Sequence, residues 1–292
     1  MSKYKTVITI GTFDGVHRGH KLLLEKTVEA AKKRKMKSLV LTLEKPVRSV
    51  GGLLSSYKEK TEMMKNCAID EIAVIAVPSD ILNLSPDGFY EKILIKELNA
   101  GHFVCGCDLS FGKDRKGNSG WLKEKAKRDK IPVDIIRPLK IFSKKISSSS
   151  IRAFLRKGDI ENANKLLGRE YSFYGIPFRE KGIGSKIGFP TVNLKTDKDK
   201  ILPQGVFISI ISQKGRAYPS VTSIGSRPTF DRGENIVPET HILDFNGKWG
   251  KAETKVILLK KIRGEKKFAD AAALKRRISA DILRAGKFFN LK

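Results

Sequence analysis

The segment from Val7 to His20 constrains this chain most. A short β-branched run, Val7 to Ile10, passes into Gly11-Thr12-Phe13-Asp14-Gly15-Val16-His17-Arg18-Gly19-His20, and helical spacing follows from Lys21. A strand that ends in a glycine turn and opens a helix presents backbone N–H groups to an anion. The anion suited to two imidazoles beside such a turn is a nucleotide phosphate. The spacing of His17 and His20 predicts two rings aimed at one point, with Gly19 leaving room for phosphate between them. Both could then donate to an α-phosphate as charge builds in the transition state. The competing reading is a surface turn with two solvated histidines. The strand-turn-helix setting argues against it, so Gly11, Thr12, Phe13, Asp14 and Gly19 are candidate phosphate-side residues and His17 and His20 candidate catalytic ones.

The rest of the first half repeats the strand-helix alternation. Strands are expected at Thr6–Ile10, Ser38–Leu43, Ile72–Val77, Phe103–Gly106 and Val133–Ile136. Between them lie helical stretches such as Lys21–Lys33 and Pro86–Leu98, the latter with Ser85 as N-cap and Pro86 at the first helical position. This order predicts an α/β, mostly parallel, doubly wound sheet that binds ligands at the carboxyl ends of its strands. A helix opened by the serine run and a second one, Asp159–Leu167, capped by Asp159 and stopped by Gly168, close the half. After Tyr171 the texture changes to short β-rich runs (Val206–Ser212, Val221–Ile224, Glu239–Phe245, Lys255–Ile262) broken by Gly, Pro and Asn. That is the signature of a small antiparallel barrel, and Ala269–Phe289 reads as an amphipathic helix packing on it. Two domains are expected, residues 1–167 and 168–292.

Composition narrows the class. No run approaches the roughly 18 apolar residues of a membrane span, and Met1-Ser2-Lys3 leads straight to a strand rather than a signal peptide. A cytoplasmic enzyme is expected, without a membrane partner; nothing specifies an oligomer. Cys67, Cys105 and Cys107 lack metal-binding spacing; Cys105 and Cys107 are expected on one strand face as buried thiols. The chain carries 58 Lys and Arg against 31 Asp and Glu, a formal net charge of +27, and such a field attracts polyanions. The basic residues are spread over Lys123–Lys130, Lys195–Lys200, Lys260–Lys267 and Lys275–Arg277 with no aromatic-interleaved recognition motif. Steering of nucleotide substrates accounts for them better than dedicated nucleic-acid binding.

Further motifs carry chemistry. Val104 to Lys113 follows a strand, and Ile146-Ser147-Ser148-Ser149-Ser150-Ile151-Arg152 places hydroxyls and a guanidinium at a helix start. Ser147, Ser148, Ser149 and Arg152 could converge on departing phosphates; a flexible linker is the alternative. In the second half, Thr191 and Asn193 flank Val192, so on an extended segment both face the same way and could present a hydroxyl and a carbonyl oxygen to Mg²⁺ and phosphates. A polar edge strand would look the same. Glu239 is expected on a strand with His241, Leu243 and Phe245 on its own face. There a carboxylate could take the proton of an attacking alcohol; an ordinary surface Glu is the alternative.

Together, the Gly11–His20 turn, the Gly106–Lys113 segment and the Ile146–Arg152 segment resemble the adenylyltransferase half of bacterial bifunctional riboflavin kinase/FAD synthetases. Gly184-Ser185-Lys186-Ile187-Gly188-Phe189-Pro190-Thr191-Val192-Asn193-Leu194, Ser223 to Phe230 and Glu239 to Phe245 are similar to the kinase half. The resemblance spans residues 6–290. It implies a Rossmann-like nucleotidyltransferase domain followed by a riboflavin kinase-like barrel, with ATP, riboflavin and FMN as substrates and Mg²⁺ in both halves. It assigns the metal-bound nucleotide to Gly188, Thr191 and Asn193, the general base to Glu239, and an orienting role to His241. Flavin contacts are assigned to Asp108 and Phe111 in the first half and to Arg263 and Arg284 in the second.

The chain departs from the pattern at Val192, where the family has Ala, at Ser223 for Asn, at Leu109-Ser110 for Phe-Arg and at Leu43 for Phe. The Ala-Arg pair expected near the end of the last helix is absent, with Arg284 and Lys287 nearby as substitutes. The changes at Leu43, Leu109 and Ser110 make adenylylation the activity most exposed to loss. Two rivals stay open: a monofunctional riboflavin kinase with a drifted first domain, and a nucleic-acid-binding protein on a reused nucleotidyltransferase fold.

Overall fold

The structure is a computed structural model that describes residues 4–46, 51–77, 79–141, 143–178, 188–228, 234–266 and 268–291. Of the kinase-like segments, residues 184–187 and 229–230 lie outside the described residues. Contacts divide the chain into two compact units, Met1–Ser148 and Ser149–Lys292, earlier than the 167/168 boundary read from composition.

In the first unit, strands β1 (Thr6–Gly11), β2 (Lys37–Leu43), β3 (Glu71–Ile75), β4 (Ala100–Gly106) and β7 (Val133–Ile136) form one sheet in the order β3-β2-β1-β4-β7. Every pairing in it is parallel, and two short antiparallel ribbons, β5 (Ser110–Phe111) with β6 (Gly117–Asn118) and β8 (Lys140–Ile141) with β9 (Lys144–Lys145), stand apart from it. The chain winds outward from β1 through β2 and β3, then restarts beside β1 with β4. The carboxyl ends of β1 and β4 therefore flank the switch point, where open α/β sheets bind ligands. Alternate residues bury on opposite faces: Ile8, Leu39, Leu41 and Phe103 on one, Val7, Val40 and Val104 on the other. Two covered faces explain why these strands read as continuous apolar runs.

Helix α1 (Arg18–Arg34) begins three residues ahead of its expected start because the His17 ring serves as its N-cap. Helix α2 (Tyr57–Lys65) was not expected; it opens with a Ser56/Glu59 capping box. Helix α3 starts at Pro86–Gly88 under the Ser85 cap and continues as a π-helix, Phe89–Glu97. Helix α4 (Ser119–Arg128), capped by Asn118, was also unforeseen. Cys105 is buried, and burial pushes its thiol up to about 12. Cys107, expected buried beside it, is exposed, because β4 stops at Gly106 and the strand alternation does not reach it.

The second unit is a closed antiparallel barrel of β10 (Tyr171–Phe178), β11 (Val192–Thr196), β12 (Gly205–Gln213), β13 (Arg216–Pro228), β14 (Glu234–Ile242) and β15 (Thr254–Arg263), in the order β10-β11-β14-β13-β12-β15. Helix α6 (Ile160–Leu167) belongs to it. The Asn164 amide donates to the Leu258 carbonyl (3.1 Å) and accepts from the Tyr171 N–H (2.7 Å). The last helix, α7 (Ala271–Phe288), buries Ala285 against Val206, Ile208, Val221, Leu243 and Ile262. On the opposite strand face Ser209, Ser220, Thr222 and Thr240, all buried, satisfy one another at 2.7–2.9 Å, as buried hydroxyls must. Because β14 ends at Ile242, Leu243 and Phe245 leave the strand that was expected to carry them beside Glu239. Phe245 instead packs edge-on with Tyr218 and Trp249.

Candidate functional site

In the first unit the candidate site is built at the end of β1. The His17 imidazole is 5% exposed and its Nδ1 accepts the His20 N–H at 3.2 Å. A ring that accepts at Nδ1 and is neutral carries its proton on Nε2, so His17 both starts the helix and presents a donor on its far side. His20 stacks on it at 3.6 Å between ring centroids and 13° between planes, with the Phe13 ring edge-on behind. Gly19 has a different function from the one expected: a Cβ there would meet the His17 ring at 3.3 Å, so its hydrogen makes room for the histidine rather than for phosphate. Gly11 likewise accommodates the Phe13 ring, at 3.1 Å from where its Cβ would lie.

Asp14 was expected on the phosphate side. It is buried, and its carboxylate accepts the N–H groups of Leu54 (3.0 Å) and Ser55 (3.1 Å), while Ser55 Oγ accepts the Gly15 N–H (2.9 Å). A buried carboxylate would repel phosphate; here it braces the turn, in which Phe13, Gly15 and Val16 all have positive φ. The Asp14 carbonyl accepts from Ser148 Oγ at 2.9 Å, which fixes the first residue of helix α5 (Ser148–Arg156) on the motif turn. Ser147 immediately precedes α5. Ser149 and Arg152 are on this helix, Arg152 one turn beyond Ser148, and both belong to the second compact unit.

Beyond β4, Asp108 pairs with Lys145 Nζ at 2.7 Å. Burial alone would raise its carboxyl, but the hydrogen bond and charge of Lys145 hold it below the usual carboxylate range. Lys145 was not singled out from sequence and nothing in its local pattern marks it. Phe111, expected against flavin, is instead a core residue packed on Phe89 (5.4 Å) and Trp121 (5.6 Å). Leu109 and Leu43 pack in the same core, and Ser110 Oγ accepts from Arg115 Nε at 2.9 Å.

In the second unit, Asn193 and Glu239 are directly opposite each other on β11 and β14, with Ser223 opposite Glu239 on β13. Thr191 directly precedes β11 and Gly188, at φ +92°, begins the described part of the preceding loop. His241 Nδ1 donates to the Pro190 carbonyl at 2.9 Å and its ring meets Phe189 edge-on, so it ties that loop to β14. Asn193 is 4% exposed, and its Oδ1 has no hydrogen-bond partner among the described residues. A buried, unsatisfied oxygen beside a threonine hydroxyl suits a hard cation. Among the described residues no group of three or more His, Cys, Asp or Glu could hold a metal ion. Arg263 and Arg284, expected at flavin, fasten α7 instead. Arg263 Nε pairs with buried Asp281 at 2.8 Å, and an Arg284 N–H donates to the Ile262 carbonyl at 3.3 Å.

Family models place FAD synthetase on residues 1–150 and riboflavin kinase on residues 167–289. A bifunctional riboflavin kinase/FMN adenylyltransferase of Buchnera aphidicola (subsp. Schizaphis graminum) is 33% identical over 98% of this chain and 95% of its own length. The protein of that name in Bacillus subtilis is 31% identical over 98% and 93%. A Streptococcus pneumoniae crystal structure titled as a macrolide-efflux protein superposes with a TM-score of 0.87 at 28% identity, over 96% of this chain and 93% of that one. Its title describes that protein; no described helix here is long and apolar enough to cross a membrane. The chain belongs to the bifunctional riboflavin kinase/FMN adenylyltransferase family.

Proposed function

We propose that this chain makes FAD from riboflavin in two ATP-dependent steps. The barrel unit phosphorylates the ribityl 5′-hydroxyl to give FMN, and the first unit adenylylates FMN. The observation that carries the reading is the pairing of the two family matches with two compact units.

In the barrel, Glu239 takes the proton of the 5′-hydroxyl as that oxygen bonds to the γ-phosphorus of ATP; the bond to the β-bridging oxygen breaks and ADP leaves. Thr191 and Asn193 would hold Mg²⁺, which would supply charge neutralisation at the nucleotide phosphates. His241 positions Thr191 through Pro190. In the first unit, a phosphate oxygen of FMN attacks the α-phosphorus of ATP and pyrophosphate departs. FMN phosphate is already ionised at neutral pH, so this step needs donors rather than a base: the Nε2–H of His17, His20, and the turn's backbone N–H groups. Ser147, Ser148, Ser149 and Arg152 serve the departing pyrophosphate, and Asp108 contributes to the flavin side. Asp14, Phe111, Arg263 and Arg284 are read as structural.

Chromatography of products after incubation with riboflavin and MgATP tests this directly. FMN and FAD together are expected. FMN alone would support a monofunctional kinase; no reaction, with salt-dependent binding to a random DNA duplex, would support the nucleic-acid reading.

A further inference from the structure

Lys60 is 3% exposed on α2, yet it is a lysine. Its ammonium donates to three backbone carbonyls: Leu43 at 2.5 Å, Thr12 at 3.3 Å and Glu44 at 3.3 Å. These lie at the carboxyl ends of β1 and β2, and Thr12 belongs to the motif turn. A buried ammonium whose hydrogen bonds all go to neutral oxygens is costly, and Met would fill similar volume without the charge. A group that weakens the fold at the edge of an active site calls for a functional account.

We propose that Lys60 is a positioning residue for adenylyl transfer, pinning the Thr12 carbonyl so that the turn offers N–H groups, not carbonyl oxygens, to the ATP phosphates. In a trans peptide the C=O and N–H point in opposite directions. With the Thr12 oxygen held by Lys60 and by Thr42 Oγ1 (3.2 Å), the Phe13 N–H of the same peptide is turned away from α2. The cation also polarises that peptide and strengthens its N–H as a donor. The Asp14–Gly15 peptide is fixed as well, its oxygen by Ser148 and its N–H by the Ser55 hydroxyl, so the Thr12–Phe13 peptide is the link whose N–H the clamp leaves for phosphate. Without the ammonium, the Thr12 carbonyl keeps only the Thr42 hydroxyl, and its rotation toward the phosphates, which it would repel, becomes easier.

Burial lowers the Lys60 pKa from 10.5 to about 8, with the Asp14 carboxylate from the turn and the Glu44 carboxylate from the end of β2 facing it and resisting the drop. The unfolded chain binds this proton up to pH 10.5 while the folded one releases it from about pH 8. The Lys60 contribution to stability therefore rises with pH across that window. Adenylylation should move the opposite way, since the charged clamp is being lost.

The inference rests on the adenylyl-transfer reading of the first unit, and parent protein that makes no FAD would sink that reading first. In a parent that does, kcat and KM for FAD formation are measured for Lys60→Met and Lys60→Gln, with FMN formation by the same chain as internal control. Lys60→Met should lose on the order of 30-fold in kcat/KM, mostly through the KM for ATP. Lys60→Gln, which restores an N–H donor without charge, should recover part of the loss, and FMN formation should not change. Parent-level FAD formation in Lys60→Met, or an equal loss of FMN formation, overturns the assignment. Should Lys60→Met fail to fold, the parent decides: FAD formation must fall above about pH 8 while thermal stability holds or rises. A rate that follows stability upward overturns it.

Discussion

A histidine at an N-cap is unusual, because its ring must remain unprotonated at Nδ1 to accept the helix N–H. At His17 that constraint selects the tautomer whose Nε2 is the donor, so the start of α1 and the reactivity of the ring are one arrangement. Gly19 is what permits it. In Gly19→Ala the new methyl would press on the His17 ring from 3.3 Å and shift it by a few tenths of an ångström; FAD formation should drop about tenfold with FMN formation unaffected. Parent-level FAD formation in this variant would mean that ring placement is not critical. At this scale the sequence told which residue types gather, but not which way they face. His17 and His20 are brought together, and Asn193 and Glu239 pair across β11 and β14. Asp14, Phe111, Arg263 and Arg284 have the right chemistry for a ligand and are taken up by the protein itself. Burial and partners decide that, and both are tertiary.

Elements with strong periodicity were legible: β1, β2, β12, β15, α6 and α7 all fall within a few residues of expectation. Helices α2 and α4 were not, since Tyr57–Lys65 and Ser119–Arg128 are charge-rich and bury few apolar residues. Their only local marks are the caps Ser56/Glu59 and Asn118. The miss at α2 hid the whole clamp behind the motif turn. Ser56→Ala, which removes one side of the capping box, should destabilise the first unit by about 1 kcal/mol, read as a lower midpoint in urea for that transition alone. No shift would show that the segment is held by Asp14 rather than by its cap. Helix α5 carries a second test. Arg152→Ala should raise the KM for ATP in FAD formation about tenfold and leave riboflavin phosphorylation intact; equal damage to both activities in a folded protein would remove Arg152 from the adenylylation machinery.

At the scale of the whole molecule, the chain contains two independent constructions. A parallel sheet whose strand order reverses beside β1 carries two stacked imidazoles beyond the end of that strand. A closed barrel sets Asn193 opposite Glu239 on neighbouring strands. The change of texture near Tyr171 announced that division, although the contacts carry α6 into the second unit through Asn164. The net charge of +27 belongs to neither site in particular, and suits a protein whose substrates are all phosphorylated or become so. Separate sites imply separable chemistries. Glu239→Gln keeps the shape of the side chain but removes the base, so riboflavin phosphorylation should fall by roughly 10² to 10⁴. Product formation by this variant, measured with riboflavin and with FMN in turn, should give almost nothing from the first and FAD at the parent rate from the second. Loss of both activities in a well-folded variant would mean a single shared active site.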